Sequence, residues 1–180
     1  MAAGMDRVRK RKEKHGGQFF ALCFCLFWAV VLPAAGGAAQ SESAAWLSSH
    51  NRYRSRHHSA PLQWSAMIAD SARAYAATCP KGHSASAYGE NISWATYGQS
   101  PQSVVDYWYS EEPGYDYERP GFSPGIGHFT QIVWKNSTEV GCGCRSDCPD
   151  GYSNVCVCQY NPPGNYRNRF SENVLPSHAK

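Results

Sequence analysis

The chain has 180 residues, with 17 Lys and Arg against 14 Asp and Glu, which gives a net charge of +3. Six of these basic residues and two of the acidic ones lie in residues 1–39, so the remainder of the chain has a net charge of −1. That balance gives no indication of a basic surface for nucleic acid over residues 40–180, and no nucleic-acid partner is expected.

The first 39 residues have the pattern of a secretory signal peptide. Residues 7–14 are strongly basic, residues 19–32 form an uninterrupted apolar run of 14, and small residues follow as far as Ala39. The apolar run is shorter than the ~20 residues that a membrane-spanning helix needs. We therefore predict cleavage near Ala39 and secretion of residues 40–180 as one extracellular domain with a short C-terminal extension. An uncleaved signal anchor is the alternative.

Two helices are predicted before the first half of the chain ends. Residues 42–57 place Trp46, His50 and Arg54 on one face of a helix. Residues 62–79 carry apolar side chains at three- and four-residue steps, as an amphipathic helix does, and end before a proline.

A third helix and a loop follow. Residues 101–112 begin with Ser100 as a plausible N-cap and with Pro101 at the first helical position. Residues 113–127 contain four glycines and three prolines, a composition that predicts a loop.

Three strands are predicted in the last third of the chain, at residues 128–134, 138–144 and 154–160. Helices that precede sequence-adjacent strands indicate an α+β domain with an antiparallel sheet.

Six cysteines remain beyond residue 39, and an even number in an exported chain indicates disulfides. They are Cys79, Cys142, Cys144, Cys148, Cys156 and Cys158. Residues two apart on a strand share a face, so a hairpin turn near residue 150 sets Cys144 opposite Cys156 and Cys142 opposite Cys158. The remaining two cysteines then have no local partner, and the spacing alone leaves other pairings open. Zinc bound by the closely spaced cysteines is an alternative.

Two sequons for N-glycosylation occur, at Asn91 and Asn136. Both fit the predicted secretion.

Four segments together resemble the CAP superfamily of cysteine-rich secretory, venom-allergen and plant pathogenesis-related proteins. The resemblance extends over residues 43–175, and the segments occur in the family's order. They are HNRYRSRHHSAPLQW, YGENISW, GHFTQIVWKNSTEVGCG and CVCQYNPPGNY. The resemblance implies a three-layer α-β-α sandwich around a central antiparallel sheet.

The resemblance also implies that two histidines and two acids share a central cleft: His83, Glu90, Glu111 and His128. Glu112 is adjacent to Glu111 and is a second candidate for that position. Such a cluster requires no cofactor, but it can hold zinc or another divalent cation, or act as acid and base. The alternative is a polar network that only orients a loop.

No catalytic residue is predicted, because the chain has no GxSxG motif and all six cysteines can pair. We therefore expect a protein that is not an enzyme. A metal-dependent hydrolase or protease that uses the His/Glu cluster is the alternative.

The family resemblance implies a different disulfide pattern from the local one. It joins Cys79 with Cys142 and Cys148 with Cys158, and leaves Cys144–Cys156 as an additional cross-strand bridge. The local Cys142–Cys158 pairing is then replaced.

Two features of the sequence distinguish it from the plant members of the superfamily. The region before His128 lacks the cysteine of the plant pattern, and in this respect resembles secreted sterol-binding members known from yeasts. The tail after PPGNY lacks the Pro-Tyr that ends a plant defence peptide. Release of such a peptide is therefore not expected.

The loop at residues 113–127 contributes three aromatic side chains, Tyr115, Tyr117 and Phe122. By resemblance, this loop covers a flat apolar site that takes a sterol or a fatty acid. The alternative is a loop whose aromatic residues only anchor it to the sheet. We therefore expect a secreted lipid-binding protein. A defence or interaction protein that contacts cell-wall or other extracellular proteins is the second hypothesis.

Overall fold

The computed structural model describes residues 36–149 and 151–178, so most of the predicted signal peptide lies outside the described residues. The elements are α1 (Gly36–Arg54), β1 (Gln63–Trp64), α2 (Ala66–Ala76), β2 (Gly89–Ala95), α3 (Pro101–Tyr109), α4 (Gly127–Val133), β3 (Glu139–Ser146), β4 (Asn154–Asn161) and α5 (Phe170–Asn173). Two short 3₁₀ helices, Ser55–His57 and Glu112–Gly114, follow α1 and α3. Within the described part of the chain, no helix is long and apolar enough to cross a membrane.

The four strands form one sheet in the order β1-β3-β4-β2. β4 pairs antiparallel with both β3 and β2, whereas the two-residue β1 pairs parallel with β3. The predicted antiparallel sheet is formed by β2, β3 and β4, and the parallel edge strand β1 was not predicted. α2 packs on one face of the sheet, and α1, α3 and α4 lie on the other side. The α+β class and the three-layer α-β-α sandwich are confirmed.

Glycine and cysteine alternate in β3, so the glycines face one side of the sheet and the cysteines face the other. Gly141 and Gly143 face α2, where an added Cβ would lie 2.1 Å from the amide nitrogen of Ala69 and 2.6 Å from Cα of Arg73. Any side chain at either glycine would therefore push α2 away from the strand. The intervening cysteines face the opposite layer.

The register of β3 and β4 corrects the disulfides implied by the family resemblance. Cys142 lies directly opposite Cys158 and Cys144 opposite Cys156, and both pairs are bonded, with Cα–Cα distances of 4.1 Å. The implied Cys79–Cys142 and Cys148–Cys158 pairs are wrong, because Cys142 and Cys158 are opposed on adjacent strands and bond each other. Cys79 instead bonds Cys148, which lies beyond the end of β3. The Cys144–Cys156 bridge is confirmed.

The segment predicted as the first strand is the helix α4. Its residues Phe129–Val133 are all buried, so the segment lacks an exposed stripe and its apolar pattern does not distinguish a helix from a strand. β2 was not predicted. The predicted helix at 62–79 begins later, because Gln63 and Trp64 pair with β3 and Ser65 caps α2.

The predicted inner face of α1 is confirmed, and its last residue, Arg54, is a buried charged side chain. Trp46, His50 and Arg54 are fully buried. The Arg54 guanidinium donates hydrogen bonds of 2.8–2.9 Å to four carbonyl oxygens. These belong to Ala60, Ile132, Trp134 and Ser137. Burial lowers the pKa of Arg54 to about 10, so the side chain is charged at neutral pH.

Replacing this guanidinium with an apolar side chain should destabilise the fold strongly. We expect Arg54→Met to lower the free energy of unfolding by roughly 3–5 kcal/mol, because four buried carbonyls lose a charged donor. Chemical denaturation under oxidising conditions measures the change. Arg119→Met is the matched control at an exposed site and should change stability little. Equal stabilities of the two variants would contradict the role of Arg54.

Candidate functional site

His83, Glu90, Glu111 and His128 all line one cavity of about 240 Å³. His83 lies in the loop after α2 and Glu90 on β2, whereas Glu111 follows α3 and His128 lies in the first turn of α4. Four separate segments thus supply the four side chains. The layers of the sandwich fix how these segments meet.

In the first imidazole–carboxylate pair, His128 and Glu111, both side chains are held by further contacts. Nδ1–H of His128 donates to Oε1 of Glu111 at 2.6 Å. Oε2 of Glu111 accepts from the backbone N–H groups of His128 at 2.9 Å and of Phe129 at 3.1 Å. The His128 ring also stacks on the buried Trp108. Glu111 therefore holds both the start of α4 and the ring orientation of its histidine.

The adjacent acid is excluded from this position. Glu112 instead accepts a hydrogen bond from the hydroxyl of Tyr117 at 3.2 Å, and Glu112 does not line the cavity. Glu111 is thus the acid that faces the cleft.

The second pair joins a buried acid to an exposed histidine. The Glu90 side chain is 5% exposed and that of His83 is 62% exposed, with Nδ1 of His83 3.0 Å from Oε1 of Glu90. Oε1 also accepts from the amide of Ser84 at 2.8 Å, and Gln159 donates to Oε2 at 2.9 Å. The loop that carries His83 is thereby anchored to the sheet through Glu90.

These contacts shift both pKa values. Burial acts to raise the pKa of Glu90, but hydrogen bonds from His83, Ser84 and Gln159 outweigh it and lower the pKa to about 2. The hydrogen bond to Glu90 raises the pKa of His83 above its ordinary 6.5. The stability from Glu90 is present above pH 4.5 and is lost as the pH falls towards 2. The stability from His83 is present below pH 6.5 and is lost as the pH rises through its raised pKa.

The two histidines and two acids of the cleft meet only some of the requirements for binding a cation. Both histidines use Nδ1 for a carboxylate, which is how metal-binding imidazoles are commonly oriented, and Nε2 of each makes no hydrogen bond to a described residue. The two acids are already committed to backbone and side-chain donors. Among residues 36–149 and 151–178, no three His, Cys, Asp or Glu side chains form a group that could hold a metal ion.

The three loop aromatics have different environments. Tyr115 is 6% exposed and packs edge-on against Tyr117 and Phe129 in the core. Phe122 is 62% exposed, and its ring lies 3.2 Å from where a Cβ on Gly127 would be. Phe122 alone of the three lines the cleft.

Glycosylation at Asn91 is not compatible with this fold. Its side chain is 1% exposed, and Nδ2 donates to the carbonyl of His128 and to the hydroxyl of Tyr160. Asn136 is exposed and can carry a glycan.

Two residues at the site were not identified from the sequence. Asn165 lines the cleft and donates from Nδ2 to the carbonyl of Gly127 at 2.9 Å, while its Oδ1 accepts from Thr130. Asn165 follows Gly164 and has a positive φ of 60°. Asn adopts a positive φ more readily than most residues, so the Gly-Asn pair in PPGNY is a sequence signal for such a turn. Gln159, the partner of Glu90, is on a buried strand and gave no such signal.

Comparison with known proteins places the chain in a family. Residues 47–160 match the model of the cysteine-rich secretory protein family, CAP, and the chain belongs to that family. It is 41% identical over 140 residues to the human Golgi-associated plant pathogenesis-related protein 1, covering 72% of this chain and 90% of the relative. It is 35% identical over 155 residues to pathogenesis-related protein 1 of Arabidopsis thaliana, covering 84% and 93%.

A third relative is longer than the shared region. The chain is 40% identical over 139 residues to protein PRY2 of Saccharomyces cerevisiae; the match covers 74% of this chain but only 41% of the yeast protein. Among solved structures, the hookworm platelet inhibitor superposes with a TM-score of 0.60 at 18% identity, covering 77% of each chain. MpPR-1i gives a TM-score of 0.55 at 20% identity, covering 73% and 94%. These structures share the fold.

The anchoring role of Glu90 can be tested by titration. We expect Glu90→Gln to lower the pKa of His83 towards its ordinary value, because the imidazolium loses its carboxylate partner. An NMR titration of the His83 ring protons measures the shift. Glu118→Gln, at an exposed site, should leave the pKa of His83 unchanged. An unaltered His83 titration in Glu90→Gln would show that the pair does not form in solution.

Proposed function

We propose that this CAP-family protein is secreted and binds a sterol or a similarly flat lipid beside the His/Glu cleft, with Phe122 as the main apolar contact. The observation that carries the proposal is the position of Phe122, which is exposed and lines two cavities at once. One is the cleft of about 240 Å³, and the other has a volume of about 440 Å³.

The larger cavity combines apolar and polar lining residues. Its lining includes the apolar Pro120, Phe122 and Phe170 and the polar Asn165, Arg167 and Asn168. Its volume lies within the range of roughly 300–1,000 Å³ that is typical of small-molecule sites. An aromatic ring can stack on a rigid ring system, and one polar group at the rim suffices for a single hydroxyl.

The family resemblance points in the same direction. The loop at residues 113–127 has the Gly/Pro-rich, cysteine-free pattern that resembles sterol-binding members. Tyr115 and Tyr117 have structural contacts, in the core and with Glu112, so the proposal assigns them a supporting role. Their packing holds the base of the loop while the Phe122 side remains accessible.

Binding of radiolabelled cholesterol to the purified exported chain tests this function. Phe122→Ala should weaken binding by about tenfold to a hundredfold, because burying one such ring contributes ~1.5–3 kcal/mol. Met67→Ala is the matched control, since Met67 is also an exposed apolar side chain but lies on α2; its affinity should equal that of the wild type. Absence of saturable binding, or full binding by Phe122→Ala, would refute the proposal.

A second candidate function is weak binding of a divalent cation. The observation that favours it is the free Nε2 of two imidazoles whose Nδ1 atoms are both oriented by carboxylates. Zinc accepts imidazole nitrogen readily, and water can complete its coordination. In this proposal Glu90 and Glu111 orient the histidines and do not bind the ion themselves.

Calorimetric titration with zinc chloride distinguishes the two sites. His83→Ala and His128→Ala should each weaken zinc binding at least about tenfold, because each removes one of two protein ligands. His178→Ala, an exposed histidine outside the cleft, should have no effect. His83→Ala should bind cholesterol nearly as well as the wild type. Unchanged zinc affinity in His128→Ala would leave the cluster as a structural network.

A further inference from the structure

Another cavity lies elsewhere on the domain and has no lining residue in common with the cleft or with the cavity beside Phe122. Its volume is about 340 Å³. Three exposed tyrosines line it: Tyr97 after β2, Tyr107 on α3 and Tyr152 in the connection from β3 to β4. Of the six large apolar side chains exposed in the described residues, three therefore meet at one cavity.

Besides the tyrosines, the lining contains the apolar Trp94 and Ala95 and four polar side chains. Ser93, Thr96, Gln99 and Ser103 all line the cavity. Gln99 donates from Nε2 to the hydroxyl of Ser93 at 2.7 Å, and its buried Oε1 accepts no hydrogen bond from the described residues. A buried acceptor without a partner is uncommon in folded proteins. A ligand hydroxyl that reaches Gln99 after a small rotation of its amide would provide the missing donor.

Among the residues that the structure describes, no Lys, Arg, Asp, Glu or His side chain lines this cavity. An anionic or cationic ligand would therefore find no partner charge in the wall. A sterol offers one hydroxyl, and would leave most of the polar groups of the wall unpaired. The combination of aromatic faces, hydroxyls and an amide suits a ligand that has both apolar C–H faces and many hydroxyls.

We propose that this cavity binds a neutral carbohydrate, with a sugar ring stacked on Tyr97 or Tyr107 and a hydroxyl bonded to Gln99. Three separate segments supply the tyrosines: Tyr107 lies on α3, whereas Tyr97 and Tyr152 lie in loops. The volume lies at the lower end of the range for small-molecule sites, roughly 300–1,000 Å³, which favours a short segment of a glycan chain. The site is independent of the proposed lipid and zinc sites.

The test uses the purified exported chain and four neutral probes: cellopentaose, laminaripentaose, chitopentaose and mannopentaose. Isothermal titration calorimetry should detect saturable binding of at least one. Tyr97→Ala and Tyr107→Ala should each weaken it about tenfold or more, which corresponds to ~1.4 kcal/mol. Tyr107→Phe should retain most of the affinity, because the stacking face remains.

Matched controls separate a local effect from a general one. Tyr166→Ala removes a comparably exposed tyrosine outside this cavity and should bind the sugar as the wild type does. A sulfated heparin tetrasaccharide should bind no more tightly than the neutral probes, since no described residue of the lining is cationic. Near-ultraviolet circular dichroism verifies that each variant is folded.

Three outcomes would overturn the proposal. They are no saturable binding of any of the four probes, full affinity in both alanine variants, and an equal loss in Tyr166→Ala. Loss of cholesterol binding in Phe122→Ala with sugar binding intact leaves the carbohydrate site standing. The two proposals therefore fail separately.

Discussion

The guanidinium of Arg54 joins α1 to the end of α4, the helix that carries His128 of the cleft. Its buried charge is stabilised by hydrogen bonds to carbonyl oxygens of the segment that leaves α4 and approaches β3. The opposite end of α4 is held by Glu111, which accepts from two backbone amides there. A helix of seven residues has little stability of its own. Fixed at both ends, it nevertheless presents His128 to the cleft in one orientation.

The two sides of the cleft differ in rigidity. His128 lies on a buried helix, stacked against Trp108, and is 27% exposed. His83 lies on an exposed loop, and its connection to the sheet is made largely by hydrogen bonds to Glu90. The distance between the two imidazoles can therefore adjust on the His83 side without disturbing the core. The loop is anchored by an ion pair at pH values between the pKa of Glu90, about 2, and the raised pKa of His83.

Periodicity in the sequence predicted the long elements well, and local packing explains the failures. The buried face of α1 and the hairpin of β3 and β4 could be predicted because their apolar and cysteine positions follow helix and strand spacing. α4 could not, because its residues Phe129–Val133 are all buried and leave no exposed polar stripe. Two sets of disulfide pairs were possible from the sequence, and the register of β3 and β4 decides between them. The rule that residues two apart on a strand share a face gave the correct cross-strand pairs, whereas the family resemblance did not. Burial of Asn91 depends on Tyr160, which is distant in sequence, so its sequon carried no sign of it.

The disulfide connectivity has a consequence for limited proteolysis. The disulfide Cys79–Cys148 closes a covalent ring over residues 79–148, and Cys142–Cys158 closes a second ring over residues 142–158, so the two rings overlap. Every peptide bond from residue 79 to residue 158 therefore lies inside at least one covalent ring. A single cut in the loop at 113–127 would leave both pieces joined, and the nick would become visible only after reduction. Only segments outside these rings, such as the tail after β4, can be released from the oxidised protein by one cleavage.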